Sequence, residues 1–355
     1  HPRGRRPLRT QRFRRWQDSG GLSRADDSGS IRRRRGRNLG GRTRERQRPP
    51  SADVNGDGLI DILRSVNTGP FDNDWRFWKN NGYAPDLLST VKTSQGGTIA
   101  FEYTTSTKYQ NTGGDSLPDL SAPMWVVSKM TESNGMSNAH GTSNITTYSY
   151  KNGLYKWQDR EFRGFGEVNT VEPNGSRKKY VFNQDDILKG MLAEVQTRDS
   201  QDNLYSETEN TWSSSTTNGV TTIKLDSEKE YSYDGSASNP KIIQTDYQYD
   251  SFGNVTKKTE LGDTGATGDE RFTYFEYTTN PTLWIINTMK HTFMKAADGT
   301  TNMSESWLYY DGNSGLDDAP TKGDLTKEVK WLQNGTNPET TYQYDTYGNK
   351  IKVTD

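Results

Sequence analysis

Two fifteen-residue stretches repeat one another: Thr245 to Thr259 reads TDYQYDSFGNVTKKT and Thr340 to Thr354 reads TTYQYDTYGNKIKVT, identical at nine positions. Each predicts a β-hairpin. A strand ending in Tyr247 and Tyr249 delivers Asp250, whose carboxylate can cap the turn amides; Gly253 supplies a positive φ, and Asn254 begins the return. Asp345, Gly348 and Asn349 take the same parts in the second copy. One such hairpin cannot bury its own tyrosine face. Copies must stack or pair edge to edge, closing a curved sheet that hides ring faces and protects strand edges.

The same alternation runs through the chain from Ser51 onward. In Thr98 to Thr104, TIAFEYT, the residues Ile99, Phe101 and Tyr103 share one face, as in a half-buried strand. Similar runs lie at Thr146 to Tyr150, Tyr180 to Phe182, Lys241 to Tyr249, Arg271 to Tyr277, Ser304 to Tyr310 and Thr340 to Tyr344, separated by Gly, Asn, Asp and Pro clusters. No long amphipathic stripe at helical spacing is present, and Gly190 to Val195, the nearest to one, is read as strand. Leu, Ile, Val and Phe together make only 56 of 355 residues, a level at which chains tend towards disorder. The 19 Tyr and 9 Trp offset that shortage, because large rings with polar tips suit strands with one wet face. The fold class expected is all-β.

Charge divides the chain. Residues 1–50 hold 17 Arg, no Lys and four acids, whereas residues 51–355 hold 21 Lys, 7 Arg and 42 acids. The Arg block at Arg32 to Arg35 and Arg37 fits a disordered tail for an anionic partner. The abrupt switch in Arg and Lys usage favours out-of-frame translation, and residues 1–50 are expected to be disordered and without function. A single clean reading frame across the codon for Pro50 would remove that explanation. The acidic balance of residues 51–355 argues against nucleic acid as a partner. With no cysteine, disulfides, thiolate metal sites and a cysteine nucleophile are excluded. No apolar run is long enough for a transmembrane helix, and no signal peptide is recognisable at the start. The chain begins with His1 and is read as a fragment whose export signal lies elsewhere.

The Tyr-Asp-x-x-Gly-Asn unit at Tyr249 to Asn254 and Tyr344 to Asn349 resembles the YD repeat of RHS proteins, with Tyr233 to Gly235 and Tyr310 to Gly312 as degenerate relatives. Upstream, Asp159 to Val168 reads DREFRGFGEV, followed by a strand, the KGML turn at Lys189 to Leu192, and Trp212. That order looks like the middle region of the TcB component of insecticidal ABC toxin complexes and of related SpvB-like proteins. The resemblance implies a YD-repeat β-sheet shell that encloses and delivers a C-terminal toxic effector. Its implied partners are that effector polypeptide and a pore-forming A-type subunit, and its implied location is secreted, extracellular or on the bacterial surface. Toxin-type RHS shells also carry a self-cleaving segment with an Asp-Pro-x-Gly-Leu-like motif, which this sequence lacks.

Asp53 to Asp61 reads DVNGDGLID. Asp53, Asn55, Asp57 and Asp61, with the Leu59 carbonyl, supply oxygen donors at alternate positions, as a structural Ca²⁺ requires. An EF-hand would need Glu at loop position 12, where Arg64 stands. The spacing resembles the calcium loop of FG-GAP or VCBS repeats in β-propeller blades; a metal-free Asx-rich turn is the alternative. The resulting division is a 1–50 Arg-rich segment, a 51–85 blade remnant, an 86–230 middle-region-like β domain and 231–355 YD repeats. Arg160, Glu161 and Arg163, with Phe162 and Phe165, form a charge cluster that solvation explains better than catalysis. His1, His140 and His291 show neither metal-ligand spacing nor a triad partner. The chain is therefore read as a scaffold and not an enzyme. Two readings compete: a surface adhesin whose tyrosine strips bind carbohydrate such as a host-surface glycan, and a glycoside hydrolase built on paired carboxylates.

Overall fold

A computed structural model of the chain describes residues 10–12 and 51–355, apart from 70, 71, 85, 114–118, 121, 137–139, 218 and 236–237. The described residues form two compact units and no α-helix. Among the described residues the first comprises 10–12 and those of 51–89, with 104–108 and 122–126. Its four-stranded antiparallel sheet has the order β1–β4–β3–β2, from β1 (Thr10–Arg12), β2 (Ser51–Ala52), β3 (Asp61–Gly69) and β4 (Asp72–Trp78). Thr10 to Arg12 form a strand within the segment expected to be disordered. The physical reason is edge pairing, since an extended segment can satisfy the open side of β4. The rest of the Arg-rich segment lies outside the described residues. Asp61 is fully buried and Phe77 nearly so. Gly58 is obligatory: its φ is +79°, and a Cβ would stand 2.6 Å from Nε1 of Trp125.

The second unit holds residues 90–103, 109–121 and 127–355. Its strands begin with β5 (Thr90–Lys92), β6 (Thr98–Thr105), β7 (Trp125–Ser133), β8 (Ser143–Lys156), β9 (Glu161–Val171) and β10 (Arg177–Phe182). They continue with β11 (Leu192–Arg198), β12 (Leu204–Thr217), β13 (Val220–Ser232), β14 (Lys241–Tyr249), β15 (Val255–Asp263) and β16 (Arg271–Asn280). The last five are β17 (Ile285–Lys295), β18 (Asn302–Tyr310), β19 (Leu325–Lys330), β20 (Glu339–Tyr344) and β21 (Lys350–Thr354). These 17 strands close into a barrel in chain order, with β21 beside β5. From β7 through β21 each connection is a hairpin. The meander runs without interruption through β13, across the point where the YD repeats were expected to begin.

The all-β expectation holds, and the run Lys241 to Tyr249 is β14 to the residue. The packing is unusual for a barrel. A filled barrel alternates buried and exposed positions along each strand, yet β15 is half-buried at all nine positions and β11 at all seven. Leu120 and Pro320 are the apolar side chains of this unit that are buried among the described residues. Barrels of about 16–18 strands are wide enough to leave an open lumen.

Candidate functional site

Six successive hairpins share one construction at the same rim. In each, an aromatic residue near the end of the outgoing strand sits at a register shift, and the returning strand carries one extra residue next to its partner. The aromatics are Phe182, Trp212, Tyr249, Tyr277, Tyr310 and Tyr344. They pair with Leu192, Leu225, Val255, Met289, Leu325 and Lys350, and the extra residues are Ala193, Asp226, Thr256, Lys290, Thr326 and Ile351. A bulge disrupts the local ladder and increases twist, so the carbonyl beside it needs another partner. For the first four of these hairpins the aromatic of the next one supplies it. Trp212 Nε1 donates to Leu192 O at 2.8 Å, Tyr249 Oη to Leu225 O at 2.7 Å, Tyr277 Oη to Val255 O at 3.0 Å, and Tyr310 Oη to Met289 O at 2.7 Å. Tyr150 makes the same backward reach to Val127 O at 2.8 Å, and burial pushes its hydroxyl up to about 12. Burial likewise raises Tyr249, Tyr277 and Tyr310.

The repeated turns are built as the sequence predicts. Asp250 Oδ1 accepts from the Phe252 and Asn254 amides at 2.8 and 2.9 Å, and Oδ2 accepts from Asn254 Nδ2 at 2.9 Å. Asp345 does the same with Tyr347 and Asn349. Gly253 and Gly348 have φ of 91° and 84°. Of the two degenerate relatives, Tyr310 to Gly312 begins a long version of this turn. The Asp311 amide donates to Asp324 O, its carboxylate accepts from the amides of residues 321–324, and Gly323 holds φ at 85°. Tyr233 to Gly235 lies in the β13–β14 connection, at the opposite rim. A further copy escaped the sequence reading: Asp199 receives the Gln201 and Asn203 amides and Asn203 Nδ2, with Asp202 at φ 73° where glycine would stand. The usable signal was the Asp to Asn spacing of four.

The acidic loop places each expected donor among partners of its own. Asp53 Oδ1 accepts from the Gly56 and Asp57 amides at 2.8 and 3.1 Å, and Oδ2 accepts from the Gly58 amide at 2.6 Å. Asp57 accepts from Leu59 N and Asn55 Nδ2 and lies 3.1 Å from Lys79 Nζ. Burial pushes the Asp57 carboxyl up, but Asn55, Leu59 and Lys79 outweigh it and hold it below its ordinary value. Asp61 takes Asn80 N at 2.7 Å and Val54 N at 3.1 Å. Among the described residues no three acidic or histidine side chains converge on a point where a metal could sit. The donors have the chemistry Ca²⁺ requires, while in this arrangement they cap amides. Their arrangement does not fit the ion without rearrangement.

The Arg160 to Phe165 region is a clasp between hairpins. Arg163, whose side chain is 3% exposed, lies 2.9 Å from Asp159 and 2.6 Å from Asp186, and donates to Gln184 O at 3.1 Å. Lys189 binds both oxygens of Glu161, which ties β9 to the β10–β11 turn. Phe165 lies 4.8 Å from Tyr150 and 5.7 Å from Phe162.

Residues 35–194 match the family model described as the insecticide toxin TcdB middle/N-terminal region. No curated protein matches the chain. Among solved structures, TcdB2-TccC3-TEV is similar over 86% of this chain and 23% of its own, at 15% identity and a TM-score of 0.61. TcdB2-TccC3 aligns with 79% of this chain and 20% of its own, at 17% identity and 0.58. The Photorhabdus luminescens Tc holotoxin pore gives 79% and 19%, at 16% identity and 0.57. The chain thus spans about a fifth of the length of the structures it resembles.

Proposed function

We propose that the chain, whose residues 35–194 match the TcdB middle/N-terminal region and whose fold is similar to TcdB2-TccC3, is a TcB-like insecticidal toxin complex protein whose second unit is part of a container wall and performs no chemistry. Such a wall, built on YD repeats of the RHS kind, would hold an effector polypeptide while a pore-forming subunit delivers it, in a secreted complex. The observation that carries this reading is a closed 17-strand sheet with neither face buried. An enclosed space bounded by two wetted faces can house a guest without taking it into a core. The side chains support the same reading. Many of the rings are covered by their own lysines, as with Lys327 over Tyr309 at 4.0 Å and Lys350 over Tyr342 at 3.9 Å, which leaves less free face for a sugar. Trp157, Phe252, Trp284 and Tyr347 stand exposed at turns of one rim and offer contact surface to the rest of the wall or to a partner.

The absence of cysteine makes the test direct. Thr245 and Thr259 point to opposite faces of the sheet, because the register partner of Thr259 is Asp246. Cysteine at either position should react with a small maleimide, and only one with a large polymer-linked maleimide. A face closed to the small reagent would indicate a packed core; two faces open to the large one would indicate an open sheet. Either result ends the container reading. Calcium at Asp53, Asn55, Asp57, the Leu59 carbonyl and Asp61 belongs to the same proposal and requires Asp57 to leave Lys79. Calorimetry should then detect heat on adding Ca²⁺ and a melting temperature that EDTA lowers; neither change would mean an amide-capped turn.

A further inference from the structure

His291 lies on β17 with Glu276 of β16 and Trp307 of β18 as its direct register partners, so all three side chains share one face. Its Nε2 is 2.8 Å from Glu305 Oε1 and its Nδ1 is 3.3 Å from Glu276 Oε2. The ring stacks on Trp307 at 5.6 Å and 7°, and lies 5.0 Å from the ring of Phe293, which in turn stacks on Tyr274 at 4.7 Å. The side chain is 15% exposed. Asn302 Nδ2 donates to the second oxygen of Glu305 at 2.8 Å and fixes that carboxylate in place.

A neutral imidazole offers one N–H and one lone pair, whereas an ionised carboxylate only accepts. With a carboxylate at each ring nitrogen, a neutral ring turns one lone pair against another. The imidazolium satisfies both, and ring faces on either side favour a cation. We infer that His291 is a proton-operated clasp: charged, it binds β16 and β18 to β17 through Glu276 and Glu305, and on losing a proton it lets one carboxylate go.

Every neighbouring element contributes to this balance. β16 presents Glu276 and Tyr274, β18 presents Glu305 and Trp307, and β17 itself presents Phe293 and Lys295. The lysines are one ring further away: Lys257 of β15 lies 5.3 Å from the Tyr274 centroid, and Lys295 lies 5.7 Å from that of Phe293 and is also bound to Thr300 O and Asn302. The two acids are the charges in direct contact. The stabilisation belongs to the charged ring, because only the imidazolium donates to both carboxylates. The clasp does not depend on the container reading.

The full chain, followed by ¹⁵N NMR of the histidine rings and by melting across pH, tests it. His291 should show both nitrogens protonated at mildly acidic pH. Its deprotonation should coincide with a fall in melting temperature and faster amide exchange in β17 and β18. Glu276→Gln and Glu305→Gln should each weaken that coincidence, and His291→Phe, which keeps the stack on Trp307, should remove this pH dependence. A singly protonated ring throughout the folded range, or an unchanged pH profile in His291→Phe, would overturn the clasp.

Discussion

Replacing Tyr249 or Tyr310 with Phe removes one hydroxyl and leaves the ring in place. The bulge carbonyl of Leu225 or Met289 then loses its donor, at a cost of about 1–2 kcal/mol. Denaturant melts should register that loss, while Tyr347→Phe, at an 89% exposed ring, should change nothing. The turn aspartates carry a pH signature. Burial pushes Asp311 up, but the amides of residues 321–324 outweigh it; Asn349 holds Asp345 below its ordinary value, and Thr301 leads the partners that bring Asp298 down to about 2. Depressed carboxyls stabilise the fold above the ordinary aspartate value of about 4 and lose that contribution as pH falls through their lowered values, about 2 for Asp298. Amide exchange at these turns should therefore rise between those limits, and Asp311→Asn should remove its share. The cap of Asp250 was legible because it rests on contacts within five residues. The cap at Asp199 was not, because Asp202 stands in the left-handed position where the pattern expects glycine.

Strands were readable at the level of elements because alternation and turn residues are local properties. The bulges were not, since an extra residue is defined by its partner strand and leaves no mark of its own in the sequence. They nevertheless set the register: with Thr256 in place, Gln248 faces Lys257 and Tyr249 faces Val255. Deleting Thr256 should slip one side of this hairpin by a residue and turn its side chains to the wrong face. Circular dichroism and amide exchange should report a loosened β14–β16 segment, whereas Thr256→Ala keeps the residue count and the sheet. The long turn after Tyr310 shows the same limit. Its first and last residues match the short turns, yet a dozen residues between Asp311 and Asp324 hide the match.

For the molecule as a whole, an all-β chain, its hairpins and a closed curved sheet could be anticipated, but which strands meet at the closure could not. Barrel closure pairs β5 with β21 across most of the chain, and no local pattern records so distant a neighbour. The expectation that rings of neighbouring repeats would share one buried surface also changes form. The two matching copies sit four strands apart, and what joins successive hairpins is a ring of one reaching a backbone carbonyl of the one before. This gives the wall a direction. Each later course fastens its predecessor as a shingle is held by the next one laid, so a growing polypeptide can secure the wall in the order in which it is synthesised, and every course stays loose until its successor arrives.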